Sequence, residues 1–144
     1  MPTQLAGTSV SAAAPFASSF EAQRSGCTDN PYWSFDDSHS PHGGTLSLWV
    51  ALDDATLDNG CLLFVPGSHR ETEFQRNAGI GENLGELFEL YPEWQGRPEM
   101  APVAVPMKAG AASFHSGMTA HGAGANMTPG RRRAMTCGYM PDGD

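Results

Sequence analysis

Residues 45–69 read TLSLWVALDDATLDNGCLLFVPGSH, and this stretch decides the fold. From Thr45 to Leu52, aliphatic side chains alternate with small or aromatic ones, and a period of two predicts a β-strand. The triplet Asp58-Asn59-Gly60 is a strong turn signal. A second, short apolar strand is predicted over Cys61–Val65, and it ends at Pro66-Gly67. We therefore expect these two strands to form a hairpin with a longer loop.

The rest of the chain continues this pattern of short strands and frequent turns. A short helix is expected within Asn83–Leu90. Four further strands are predicted at Val103–Met107, Ala111–His115, Thr119–Gly122 and Arg133–Tyr139. Gly and Pro supply 17 and 11 of the 144 residues, which is more than average usage. The pattern favours a single, mainly β domain, a sandwich or a jelly roll.

The composition excludes several classes of protein. There are 8 Lys and Arg residues against 16 Asp and Glu residues, which gives a net charge of −8. Nucleic-acid and anionic-membrane partners need clustered positive charge, so neither is expected. The N-terminal sequence lacks the pattern of a signal peptide, and the 3 cysteines have no CxxC spacing. We therefore predict a cytoplasmic protein whose partner is a small-molecule substrate.

Two of the histidines lie among small residues, which let a ligand or a metal ion approach the backbone closely. These are His115 and His121, and each is compatible with a ligand role or with packing in the core. The surroundings of His39 and His42 are typical of an exposed loop, and those of His69 are typical of a turn. The cluster Arg131–Arg133 is either a solvated turn or an anion site, because guanidinium groups can clamp a carboxylate.

The chain resembles the phytanoyl-CoA dioxygenase family, and its bacterial branch in particular, over about residues 27–143. The resemblance rests on the run from Trp49 to His69, on Phe114-His115, on His121-Gly-Ala-Gly-Ala-Asn126 and on Arg132. It implies a double-stranded β-helix, which is a cupin-like jelly roll. It also implies a dioxygenase that uses Fe(II), 2-oxoglutarate as co-substrate and ascorbate as reductant. Such an enzyme hydroxylates a small organic substrate and releases succinate and CO₂.

The resemblance assigns roles to individual residues. His121 matches the distal metal ligand of the family. Arg132, eleven residues later, matches the arginine that binds the far carboxylate of 2-oxoglutarate. Trp49 matches a tryptophan that lines the cofactor pocket. Tyr32 and Trp33 lie where the family places substrate-facing aromatic residues, and core packing is an equal alternative for both.

One expected metal ligand is changed in this chain. The family supplies its first two ligands from a His-x-Asp motif, and here the motif reads Cys27-Thr28-Asp29. The carboxylate of Asp29 is retained, but a thiol replaces the imidazole. A thiolate is a soft, anionic ligand, and it is itself an oxidation target. The resemblance therefore predicts weak or altered iron binding, with His39 and His42 as conceivable substitute ligands.

Two functions stay open at this point. The chain is either a working oxygenase or a catalytically impaired fragment that serves as a non-enzymatic β-fold binding module. A zinc-dependent hydrolase or isomerase on the same architecture is disfavoured, because Arg132 has no purpose there. Family members carry a longer region before the metal motif. We therefore expect residues 1–26 to be a disordered or non-family segment and residues 27–144 to form a β-helix that is incomplete at its N-terminus.

Overall fold

The computed structural model describes residues 10–12, 26–27, 45–72 and 85–141. Within these ranges there are eight strands: β1 (Val10–Ala12), β2 (Gly26–Cys27), β3 (Leu46–Ala51), β4 (Leu62–Phe64), β5 (Val103–Val105), β6 (Ala112–Ser116), β7 (His121–Ala123) and β8 (Ala134–Pro141). The same ranges hold one short helix, α1 (Gly85–Leu90), and 3-10 turns at Ser68–Arg70, Pro92–Trp94 and Pro98–Met100. No helix in the described part of the chain is long and apolar enough to cross a membrane.

The strands form two four-stranded antiparallel sheets. The first sheet has the order β1-β8-β3-β6, and the second has the order β2-β7-β4-β5. The chain passes back and forth between the sheets, so that most consecutive strands lie in opposite layers. This interleaving is the topology of a jelly roll, and the prediction of a double-stranded β-helix is confirmed. Each of the two short N-terminal strands lies at an edge of its sheet.

The predicted strands and the short helix are confirmed, but the predicted hairpin is wrong. Strand β3 lies in the first sheet and β4 lies in the second. The segment between them crosses from one layer to the other and is tied by Ala55, whose N–H donates to Met107 O at 2.7 Å. Crossing brings the buried faces of β3 and β4 together across the core, whereas a hairpin would place the strands side by side.

The main core fills the space between the two sheets. On β3 the side chains of Ser47, Trp49 and Ala51 are buried, while Leu46 on the opposite face is 39% exposed. The small and aromatic face of this strand is therefore the inner one. The buried core residues are Trp49, Ala51, Ala55, Cys61 and Leu62, with Phe64, Ala104, Met107, Ala123 and Ala134 packed against them.

A second cluster packs residues 88–100 against the end of β4. Its buried members are Val65, Tyr91, Trp94, Met100 and Ala120. The rings of Tyr91 and Trp94 stack at 4.2 Å. The carboxylate of Glu71 accepts hydrogen bonds from Trp94 Nε1 at 3.2 Å and from both terminal nitrogens of Arg97 at 2.8 Å. These contacts hold the segment after α1 against the turn that follows β4.

Strand β1 pairs with β8 in the register Val10 to Pro141 and Ala12 to Tyr139. This strand falls inside the segment 1–26 that the sequence separates from the β domain. The domain division at residue 27 stays a prediction.

Candidate metal and co-substrate site

His121 begins β7, which lies between β2 and β4 in the second sheet. The backbone register places His121 directly opposite Cys27 on one side and Phe64 on the other. The His121 ring is buried, and its Nδ1 lies 2.9 Å from the carbonyl oxygen of Thr119. A carbonyl can only accept a hydrogen bond, so Nδ1 carries the proton in the neutral ring. The lone pair of Nε2 is therefore the one that can bind a metal ion.

The loop before His121 is fixed by two buried hydroxyl groups. The Ser68 Oγ accepts a hydrogen bond from the Ala120 N–H at 2.9 Å. The Thr72 Oγ1 donates to Met118 O at 2.7 Å. From the sequence, the Pro66-Gly67 pair was interpreted only as the end of a strand, and the positioning role of the serine after it was missed. The signal was the serine itself, since hydroxyl side chains at turns bind nearby backbone groups.

Arg132 and Trp49 lie together, as their shared assignment to the co-substrate pocket requires. The guanidinium carbon of Arg132 lies 5.4 Å from the centre of the Trp49 ring. Burial lowers the pKa of Arg132, although an arginine keeps its charge in proteins. Among the described residues, the buried Nε of Arg132 has no hydrogen-bond partner, whereas the next residue, Arg133, is paired with Asp53 at 2.7 Å. A buried guanidinium N–H without a protein partner can bind an anion.

The hydroxyl oxygen of Ser113 is a second polar atom close to Trp49, in the first sheet. Ser113 on β6 is directly opposite Trp49 on β3, so both residues are on the inner face. The Ser113 Oγ is buried, and no described residue forms a hydrogen bond with it. The interior around Trp49 therefore offers a hydroxyl group in addition to the guanidinium of Arg132. Sequence reasoning missed Ser113, because only the strand register reveals its neighbour.

The two histidines of the small-residue region meet in the structure. His115 lies on β6 in the first sheet, and His121 lies on β7 in the second. Their ring centres are 4.6 Å apart, with the planes tilted by 58°. Phe64 packs against both rings, at 5.0 Å from His115 and 5.8 Å from His121. An open cleft of about 330 Å³, whose lining includes Phe64, His69 and Phe114, leads to His115.

Comparison with known proteins identifies the family. The family model for phytanoyl-CoA dioxygenase (PhyH) matches residues 17–134. The chain belongs to the phytanoyl-CoA dioxygenase family. A curated relative from Danio rerio, phytanoyl-CoA dioxygenase domain-containing protein 1, is 31% identical over 100 residues, which cover 69% of this chain and 34% of the relative. The chain thus spans about a third of the length of the curated relatives it matches.

Two solved structures extend the comparison to bound ligands. The epimerase SnoN, determined with Fe³⁺, alpha-ketoglutarate and nogalamycin RO, is 31% identical with a TM-score of 0.60, over 84% of this chain and 44% of SnoN. EvdO2 from Micromonospora carbonacea var. aurantiaca, determined with 2-oxoglutarate, is 27% identical with a TM-score of 0.54, over 83% of this chain and 48% of EvdO2. Iron and 2-oxoglutarate are therefore ligands of proteins with this fold.

The two positions that match the family's first two metal ligands are Cys27 and Asp29. Cys27 is placed by its backbone register opposite His121. Asp29, Tyr32 and Trp33 lie outside the described residues, as do His39 and His42. Among the described residues, no group of three or more His, Cys, Asp or Glu side chains is arranged to hold a metal ion. The predicted roles of the motif around Cys27 stay predictions.

Proposed function

We propose that this chain binds iron(II) and 2-oxoglutarate between its two sheets and hydroxylates a small organic substrate. The observation that carries the proposal is Arg132, which lies over Trp49 inside the fold with a buried, unsatisfied Nε. Its distance in sequence from His121 matches the spacing in the phytanoyl-CoA dioxygenase family. We expect the protein to act in the cytoplasm, without a nucleic-acid or membrane partner, as its acidic composition predicts.

The chemistry of this pocket suits a dicarboxylate. A guanidinium group binds a carboxylate through two parallel hydrogen bonds, and the interaction strengthens where water is excluded. Trp49 is only 7% exposed and forms one wall beside the guanidinium. The hydroxyl group of Ser113 can donate a further hydrogen bond. These groups would bind the far carboxylate of 2-oxoglutarate and orient its other end toward His121.

The metal ligands of the proposal are His121 through Nε2, Asp29, and Cys27 at the position of the family histidine. His121 fits this role, because its Nδ1 donates to the carbonyl oxygen of Thr119 and its orientation is thereby fixed. Bound iron would supply the oxidising chemistry, in which 2-oxoglutarate is converted to succinate and CO₂. The protein's own contribution is to hold the ion and the dicarboxylate side by side in a buried space.

The cleft beside His115 is the proposed entrance for substrate. Its lining is mostly apolar, with Phe64, Pro66 and Phe114 among its walls, and His69 and Thr119 add polar groups. A volume of about 330 Å³ is at the lower end of the range for small-molecule sites. It favours a small organic molecule with an apolar portion over a large conjugate.

Cys27 favours a second candidate function. It occupies the register position opposite His121, where a family member has an imidazole ligand. A thiolate there changes the charge of the protein ligands from −1 to −2 and is open to oxidation. On this alternative, the chain retains a binding site for a metal ion or 2-oxoglutarate without turnover.

Succinate release separates the two candidates. The wild-type protein and the Cys27→His variant are incubated with Fe(II), 2-oxoglutarate, ascorbate and O₂, and succinate is quantified. We expect the variant to release more succinate than the wild type, because it restores the neutral ligand. Succinate formation by neither protein, with both folded, would contradict the oxygenase proposal and support the binding module.

A further inference from the structure

We propose that Ser68 is a positioning residue that sets the orientation and the tautomer of the His121 imidazole through a single peptide group. The inference rests on the proposed function only where it assigns His121 to the metal ion. Its basis is the peptide group between Thr119 and Ala120. The N–H of this group donates to Ser68 Oγ at 2.9 Å, and its carbonyl oxygen lies 2.9 Å from His121 Nδ1. Ser68 and His121 are therefore joined through the two ends of one planar unit.

A peptide group transmits orientation because it is rigid. Partial double-bond character keeps its N–H and C=O in one plane, and in the trans form they point in opposite directions. A hydrogen bond that fixes the Ala120 N–H at Ser68 therefore also fixes the direction in which Thr119 O faces the imidazole. Hydrogen bonds in such a chain polarise one another, so the carbonyl becomes a better acceptor for the proton on Nδ1. In the neutral ring, Nε2 then carries the lone pair.

Ser68 is itself held on a rigid base. The residue is fully buried and begins the 3-10 turn that follows β4. Its backbone carbonyl accepts hydrogen bonds from the N–H groups of Glu71 and Thr72, each at 2.8 Å. The carbonyl of Ala120 accepts a hydrogen bond from the Val65 N–H at 2.9 Å, so Ala120 is tied through both its N–H and its C=O. The hydroxyl group therefore meets the peptide group at a fixed position.

The buried hydroxyl group of Thr72 offers an internal comparison. It donates to Met118 O at 2.7 Å, and that carbonyl belongs to the peptide group before the one that contacts the imidazole. Both hydroxyl groups fasten the same loop, but of the two it is Ser68 that bonds the peptide group facing His121. A general loosening of the loop would follow the loss of either hydroxyl, whereas a change of tautomer would follow the loss of Ser68.

Nitrogen NMR of the full, metal-free chain tests the proposal without an activity assay. Protonated and bare imidazole nitrogens have well-separated chemical shifts, and the His121→Gln variant identifies the signals of this ring. Spectra are recorded at about pH 8, where histidine side chains are ordinarily neutral. We expect the proton on Nδ1 in the wild type. In Ser68→Ala the two nitrogen shifts should move toward each other, because both tautomers are then populated, and in Thr72→Val they should stay unchanged.

Several outcomes of this measurement would overturn the proposal. They are a proton on Nε2 in the wild type, an unchanged tautomer in Ser68→Ala, and an equal shift in Thr72→Val. The Ser68→Cys variant keeps the size of the side chain and replaces the hydroxyl with a weak acceptor, so it should give an intermediate shift. Near-UV circular dichroism verifies folding. If Ser68→Ala does not fold, a wild-type tautomer in Ser68→Cys overturns the proposal.

Co(II) affinity separates this inference from the proposed function. Groups that orient a ligating histidine typically contribute about 10–100-fold to metal affinity. We expect Ser68→Ala to raise the Kd for Co(II) at least about fivefold and Thr72→Val less than about twofold. Equal Kd values for the wild type and Ser68→Ala would overturn the positioning role and leave metal binding intact. A wild type that does not bind Co(II) would contradict the proposed function, and the tautomer measurement would still decide whether Ser68 positions the ring.

Discussion

The adjacent residues Arg131 and Arg132 differ in their exposure to solvent. Arg132 lies over the ring of Trp49 with a buried Nε, whereas Arg131 is exposed. Two residues so close in sequence differ because β8 begins here and the backbone turns one side chain toward the core. The pair therefore offers a matched test of the co-substrate site, since both substitutions remove the same charge.

Replacing Arg132 with Gln should weaken 2-oxoglutarate binding at least about tenfold, because hydrogen bonds to charged groups contribute about 1.5–3 kcal/mol. The Arg131→Gln variant should stay within about twofold of the wild type, since an exposed charge in water adds little. Isothermal titration calorimetry on the metal-loaded protein measures both. Equal weakening by the two substitutions would show a general charge effect and not a specific contact.

Spacing in the sequence could identify only those residues that belong to a family motif. The spacing from His121 to Arg132 assigned a partner for the co-substrate, and the structure brings that arginine to Trp49. His115 and Ser113 could not be assigned in the same way. Their significance depends on which strand lies opposite, and this is a property of the sheet register rather than of the local sequence.

The turn between β3 and β4 depends on Gly60. Its φ is +84°, and a Cβ at this position would collide with the carbonyl oxygen of Gly124. Gly110 has a similar φ of +87° but open space around it. A turn that carries the chain between two sheets thus packs its backbone against the loop that follows β7.

The Gly60→Ala variant should lose more stability than the Gly110→Ala variant. Both substitutions incur the cost of a left-handed backbone conformation, about 1–3 kcal/mol, and only the first adds a steric clash. Urea denaturation of both variants measures the difference. Equal losses would show that the contact between the turn and Gly124 does not constrain the fold.

The start of β8 is fastened to the end of β3 by an ion pair. The carboxylate of Asp53 accepts hydrogen bonds from the Arg133 side chain at 2.7 and 2.9 Å and from its backbone N–H at 2.8 Å. These bonds hold the pKa of Asp53 at about 2, below its usual value of 3.8. Because the pKa is lowered in the folded state, the stabilisation is present above the usual value and is lost as the pH falls toward 2.

An Asp53→Asn variant should therefore be less stable than the wild type at neutral pH. The difference between the two should shrink as the pH falls below about 4 and should approach zero only below about pH 2. Denaturant midpoints across this range measure it. A difference that is independent of pH would show that the ionised carboxylate is not responsible.

Alternation could predict where strands lie but not which strands pair. Thr45–Leu52 is correctly predicted as a strand from its period of two, and Cys61–Val65 from its short apolar run ending at Pro66-Gly67. The predicted hairpin between them was wrong, because an alternating pattern shows which face of a strand is buried but not which strand lies beside it. The inner face of β3 carries Ser47, Trp49 and Ala51 and not the aliphatic residues. Which face is buried depends on the second sheet that covers it, so the sequence of β3 alone could not predict it.

The proposed site lies between the two interleaved sheets. Trp49 lies on the first sheet and His121 on the second, so both sheets are needed to form the proposed site. The chain reaches this arrangement while spanning about a third of the length of its curated relatives. The family resemblance could predict the jelly roll because its motifs lie on the strands that build the sheets.

A site shared by both sheets should couple ligand binding to global stability. A ligand at one hundred times its Kd stabilises the native state by about 2.7 kcal/mol. We expect Co(II) and 2-oxoglutarate together to raise the Tm more than either alone, as measured by differential scanning calorimetry. An unchanged Tm at saturating concentrations of both would contradict binding between the sheets.

We propose that the folded chain binds iron(II) and 2-oxoglutarate together at one site. An anaerobic titration of the Fe(II)-loaded protein with 2-oxoglutarate tests it most directly, because direct coordination of the co-substrate to iron produces a charge-transfer absorption in the visible region. We expect a band that saturates at one 2-oxoglutarate per chain and weakens in the Arg132→Gln variant. A folded protein that retains iron but develops no such band would contradict it.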